Sequence, residues 1–180
     1  MPSPRRCLLA VWLLALLLAA PAARAASEID VYALPYRLVD EHGRERRLAD
    51  WRGKRTVVAM DHSTYSAICS STGRRLRAVG VAAERLAQDV EFVIIGLEPH
   101  KDTPATWAAY REDRGIRGDN WHFLRASATD TALVAANLGV NYRYEYDDLL
   151  LDLRILRVGP DGRIERAIEG YDTDTDAFFR

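Results

Sequence analysis

Three runs of apolar residues, at 57–61, 90–97 and 149–158, set the frame of this chain. Val57-Val58-Ala59-Met60 leads into Asp61 and His62, and the run from Val90 to Leu97 is broken only by Glu91 and Gly96. Continuous rather than alternating apolar character suits strands covered on both faces, so both runs read as central strands. Between them, Leu76, Val79, Ala83 and Leu86 recur at helical spacing after the Ser70-Ser71-Thr72 cluster, which supplies N-cap candidates. Thr103-Pro104 opens a second helix with proline at its first position, carrying Trp107 and Tyr110 and ending near Arg114 before Gly115. Trp121 to Leu124 reads as a short strand, and residues 129–138 as a helix closed by Gly139. Residues 149–158 read as one strand, turning at Gly159-Pro160-Asp161-Gly162 into a return strand over 163–168. Upstream, Tyr36 to Val39, a turn at residues 40–43 containing His42, and a return over 44–48 form a small N-terminal hairpin. The order predicts an α/β fold with a central mixed sheet flanked by helices.

Residues 1–25 carry a different pattern. Arg5 and Arg6 precede thirteen uninterrupted apolar residues, 8–20, then Pro21 and a small-x-small site at Ala23-Arg24-Ala25. A spanning helix needs about 20 apolar residues, so the stretch is expected to be a cleaved export signal rather than an anchor. Cys7 falls within it. The remainder, about 155 residues, is the size of one domain with a substantial core. It is expected to work in the periplasm or another extracytoplasmic space, with no stable membrane span once the signal is removed.

Charge narrows the partners. Three of the 25 bases and none of the 26 acids precede Ala26, leaving 22 bases against 26 acids. A mildly acidic chain with no basic block does not suit nucleic acid or anionic lipid as its main partner. One cysteine remains outside the leader, Cys69, at or just before a helix N-terminus. Amide N–H groups and the helix dipole there favour a thiolate, so thiol chemistry at Cys69 is physically plausible. The alternative is a small buried hydrophobe with no redox role.

Several motifs in order resemble the Sco/SenC family of exported thioredoxin-like proteins. They are the Asp50 to Lys54 lead-in, the Leu97-Glu98-Pro99-His100-Lys101-Asp102-Thr103-Pro104 segment, Leu138-Gly139-Val140, and Pro160-Asp161-Gly162 with Gly170-Tyr171. The resemblance implies a thioredoxin-like fold over residues 26–180, copper as cargo, and a protein partner in cytochrome c oxidase assembly. It also implies a Cys-x-x-x-Cys pair and a distant histidine as Cu(I) ligands, soft sulfur donors matching a soft ion. In this chain the first cysteine position is Tyr65, the second is Cys69, and the histidine position falls at about Leu151. The site is therefore expected to be degenerate, holding no cofactor, with copper the one candidate ion. His62 and His100 are possible substitute ligands beside Cys69, with a carboxylate from Glu98, Asp147 or Asp148. Both histidines equally suit local packing, as does His122 between Trp121 and Phe123.

Two other readings stand beside this one. Ser66, three residues before Cys69, resembles the peroxiredoxin arrangement, implying a one-cysteine peroxidase, although His62 replaces the proline expected there. A non-catalytic interaction protein is the third. Tyr142, Tyr144 and Tyr146, alternating with Arg143 and Glu145, form either a recognition surface or an edge strand covering the core. With Tyr65 they are expected to fill the old ligand pocket. Residues 173–180 read as a cap and one helical turn ending in Phe178 and Phe179.

Overall fold

A computed structural model describes residues 29–64, 70–146, 148–170 and 174–180. The predicted export signal, and with it Cys7, lies outside the described residues. The strands are β1 (Leu38–Asp40), β2 (Glu45–Arg46), β3 (Thr56–Asp61), β4 (Glu91–Gly96), β5 (Trp121–Arg125), β6 (Tyr142–Glu145), β7 (Asp148–Leu151), β8 (Arg154–Val158) and β9 (Ile164–Glu169). The helices are α1 (Ser71–Arg85), α2 (Pro104–Arg114) and α3 (Ala128–Leu138). Seven strands form one mixed sheet in the order β2-β1-β5-β4-β3-β8-β9, with β3, β4 and β5 parallel. The predicted N-terminal hairpin is β1–β2, joined to the sheet through antiparallel pairing of β1 with β5.

The continuous apolar runs are explained by burial on both faces. Val57, Ala59, Phe92 and Ile94 point to the side covered by α1 and α2, where Leu76, Val79, Trp107, Tyr110 and Phe123 complete a core. Val58, Met60, Val93 and Ile95 point to the other, against Val134, Ala135 and Leu138 of α3 and against Tyr32 and Trp51. Successive strand residues alternate faces, so a strand buried twice shows no polar alternation. Each helix starts where its sequence says it should. Ser70 accepts from Gly73 N, Thr103 accepts from Thr106 N ahead of Pro104, and Ser127 accepts from Asp130 N.

Two expected elements differ. Residues 149–158 are two strands, not one, because β7 pairs with β6 in a separate ribbon and the chain joins the main sheet only at β8. Asp152 N donates to Asn141 O at 3.0 Å and closes the root of that ribbon, so the break falls at Asp152-Leu153. The carboxyl end has hydrogen-bonded turns over residues 175–179 in place of a helical turn. Phe178 is nonetheless buried in the α1/α2 core and Phe179 packs beside it.

Candidate functional site at the carboxyl ends of the central strands

The parallel strands β3 and β4 end on a cluster of buried polar groups. In an open α/β sheet this is the edge from which loops reach over a ligand. Asp61 closes β3 and is fully buried. Tyr110 of α2 donates its hydroxyl to Asp61 Oδ2 at 2.7 Å, and Ser70 Oγ lies 3.2 Å from both carboxylate oxygens. Ser70 also caps α1, accepting from Gly73 N at 2.8 Å. Arg114 lies over the Tyr110 ring, 3.6 Å from its centroid. Gly73 makes this cluster possible: a Cβ there would sit 2.6 Å from Arg114 Nε and 3.1 Å from the Tyr110 hydroxyl.

A second cluster adjoins the first. Asp102 Oδ1 accepts from Ser63 N and Ser63 Oγ at 2.8 and 2.7 Å, and Oδ2 accepts from Glu98 N at 2.8 Å. Gly96 leaves room for it, since a Cβ would approach Asp102 Cγ to 2.8 Å. Glu98 is buried, takes Lys101 Nζ at 2.7 Å and Thr64 Oγ1 at 3.1 Å, and lies 3.7 Å from His62 Nδ1. Burial pushes the carboxyls of Asp61 and Asp102 above the ordinary aspartate value, against the pull of Tyr110 on one and Ser63 on the other. Burial, reinforced by the neighbouring Asp61, also pushes the Tyr110 hydroxyl well above its usual range.

A cleft of about 500 Å³ opens above Asp61, lined by His62, Ser70, Thr72, Arg143 and Leu151. The β6–β7 ribbon forms its far wall. Leu151, the position where the family resemblance places a histidine, does face the same cleft as the N-terminus of α1. Asp148, a possible carboxylate ligand, also lines it. His100 does not: it is exposed and borders a separate hollow with Arg37, Arg125 and Ser127. The structure thus brings His62 and Glu98 together and leaves His100 apart. Cys69, Tyr65, Ser66 and Asp147 lie outside the described residues. Among the described residues no three His, Cys, Asp or Glu side chains converge as a metal site. Beside His62 stands the Glu98 carboxylate, an oxygen donor better suited to hard ions than to Cu(I).

Of the three tyrosines only Tyr142 packs against the core. Tyr142 is half-buried, while Tyr144 and Tyr146 are 55% and 98% exposed on the ribbon. His122 is structural, its Nε2 2.8 Å from Glu91 Oε2 and its ring 5.2 Å from that of Trp51. His42 is exposed in the hairpin turn. Sequence reasoning missed Asp61, Tyr110 and Arg114 as a unit. The available signal was an acid closing a strand that is otherwise wholly apolar. None of the described helices is long and apolar enough to cross a membrane.

Comparison with known proteins agrees with this architecture. The model of the family described as SCO1/SenC matches residues 24–175. Among solved structures, BsSco, described as a member of the Sco family of cytochrome c oxidase assembly proteins with a disulfide switch, is similar at a TM-score of 0.73 and 16% identity. That match covers 85% of this chain and 92% of BsSco. A SCO1/SenC family lipoprotein of Bacillus anthracis gives 0.70 at 16% identity, over 79% of this chain and 87% of its own. ScoI of Arabidopsis thaliana, solved with copper bound, gives 0.66 at 19% identity, over 79% and 90%. No curated protein matches the chain.

Proposed function

Because the chain belongs to the SCO1/SenC family, we propose that it is an exported accessory protein of copper handling or cytochrome c oxidase assembly whose copper site is reduced to Cys69. The observation that carries this reading is Leu151 in the cleft beside Ser70 and Thr72, at the place where the family resemblance calls for an imidazole. A leucine offers no donor atom, and Tyr65 replaces the thiolate expected four residues before Cys69. One thiolate without the second sulfur and the distant histidine that the family resemblance calls for binds Cu(I) weakly, and it has no resolving partner for intramolecular disulfide exchange once the leader is removed. The work left to such a scaffold is to bind a protein partner or to pass an ion it does not hold tightly.

Titration of the reduced protein with Cu(I) against a competing chelator tests the reading. The expected result is that the chelator keeps the copper. Tight binding that disappears in Cys69→Ser would overturn it. Export is tested separately by sequencing the amino terminus of secreted or periplasmic protein, which should begin near Ala26.

A further inference from the structure

The exposed face of α1 carries chemistry that neither the cleft nor copper uses. Arg74, Arg77, Ala78, Val81, Ala82 and Arg85 line a groove of about 530 Å³, closed on one side by Thr175. These positions repeat at three to four residues, so they form one stripe about 16 Å long. Its floor is apolar, and Val81 stands 56% exposed in the middle of it. Its two ends are arginine. Between Ser71 and Arg85 there are four arginines and one glutamate, on a chain whose formal net charge is −1.

From this we infer that the α1 face is a docking groove for an acidic, amphipathic segment of a protein partner. A carboxylate of the partner meets Arg77 towards one end and another takes the place of Asp176 on Arg85 at the other, with an apolar side chain over Val81 between them. The molecule shows the same complementarity on itself, because Arg85 is ion-paired to Asp176 of its own acidic carboxyl-terminal turn. Arginine suits the task, since its planar fork meets carboxylates bidentately and packs its stem on apolar surface. A lipid surface fits less well: the arginines are interrupted by Val81 and the alanines, and the chain as a whole has no net positive charge to draw it to anionic lipid. The groove begins one turn from Ser70, so an occupant would lie beside the cleft at the end of β3. The inference goes beyond the proposed function in needing neither copper nor Cys69, and it can stand or fall independently of the Cu(I) titration.

The test is fluorescence anisotropy with two labelled amphipathic peptides, one alternating glutamate and leucine faces and one with lysine for glutamate. The acidic peptide is expected to bind and the lysine peptide to fail, with affinity falling as salt rises. Arg77→Glu should weaken binding roughly tenfold and Val81→Asp by a similar factor, while Arg37→Glu, on the far edge of the sheet, should leave it unchanged. Circular dichroism checks that each variant is folded. Equal binding of both peptides, or no effect of Arg77→Glu and Val81→Asp, would overturn the proposal. So would Arg77-dependent flotation with phosphatidylcholine/phosphatidylglycerol vesicles in place of peptide binding.

Discussion

The two ends of β3 and β4 are built from the same strands and differ sharply in how they treat charge. At the amino ends, Glu91 meets Lys54 and His122, and Thr56 shares a hydrogen bond with Tyr32. Lys54 is largely exposed, and water can replace any of these ionic partners. At the carboxyl ends, Asp61, Glu98 and Asp102 are buried and accept hydrogen bonds from Tyr110, Lys101 and Ser63 respectively. Burial opposes the charge of Glu91, but Lys54 and His122 outweigh it and hold its carboxyl below the ordinary value. The carboxyls of Asp61 and Asp102 lie above theirs. Desolvating an acid is expensive unless something needs it there. The carboxyl end therefore carries the desolvation cost of this sheet, while at the amino end the charged groups stay within reach of water.

The contrast is broken most directly at Asp102. Asp102→Ala leaves Ser63 N and Glu98 N buried without an acceptor, while Ser63 Oγ keeps Thr106 Oγ1 at 2.8 Å, and should cost about 3 kcal/mol in urea denaturation. Asp102→Asn retains one acceptor oxygen and should lose roughly half as much. If Asp102→Ala were as stable as the parent, the cluster would not be holding the two strand ends together.

Gly73→Ala comes next. In an open helix alanine would stabilise by about 1 kcal/mol relative to glycine. Here the added Cβ meets Arg114 Nε at 2.6 Å, and Arg114 is buried against Tyr110. The expected outcome is a net loss of about 2 kcal/mol, seen as a lower Tm. A gain would mean that the Arg114–Tyr110 stack is loose enough to move aside.

How far the sequence foretells this end of the sheet depends on how local the information is. β3, β4, α2 and α3 are legible because their signals are contiguous: an apolar run, Thr103-Pro104, or Ser127 with Gly139. The division of residues 149–158 between ribbon and sheet is not, because Leu149-Leu150-Leu151 and Ile155-Leu156 have the same apolar character on either side of Asp152. What separates them is a backbone hydrogen bond from Asp152 to Asn141, which no pattern of side chains encodes. Likewise Asp61 and Tyr110 are 49 residues apart, and their contact exists only once α2 has packed on β3. Leu151 facing the cleft, by contrast, agrees with what the family resemblance implies when its histidine position is counted back from Pro160-Asp161-Gly162.

The opposed carboxyl shifts predict opposed pH profiles. Unfolded Asp61 titrates near the ordinary value of about 3.9, whereas the folded protein holds its proton to higher pH. Between those values the folded state binds more protons, so this group's contribution to stability falls as pH rises through the window. Asp61→Asn should remove that fall. Glu91 behaves in the opposite sense, its contribution present above the ordinary glutamate value and lost as pH drops through its lowered folded value. Urea midpoints across pH for Asp61→Asn and Glu91→Gln should therefore diverge from the parent with opposite slopes. Parallel profiles would abolish the distinction between the two strand ends.

The smallest effect is expected at the amino end itself. Lys54→Ala removes the ion pair to Glu91, but Lys54 is mostly exposed and His122 Nε2 remains 2.8 Å from the other carboxylate oxygen. An exposed pair of this kind contributes about 0.5 kcal/mol, and 0.5 M salt should erase the difference between variant and parent. Tyr110→Phe supplies the matching measurement at the other end, because it also removes one hydrogen bond to one carboxylate. Asp61 is fully buried there, so the cost should be about 1.5 kcal/mol and should persist in salt. The ratio of these two losses, measured side by side, weighs the desolvation that separates a buried strand end from a wet one. A ratio near unity would mean that the cleft admits enough water to make Asp61 an ordinary surface acid.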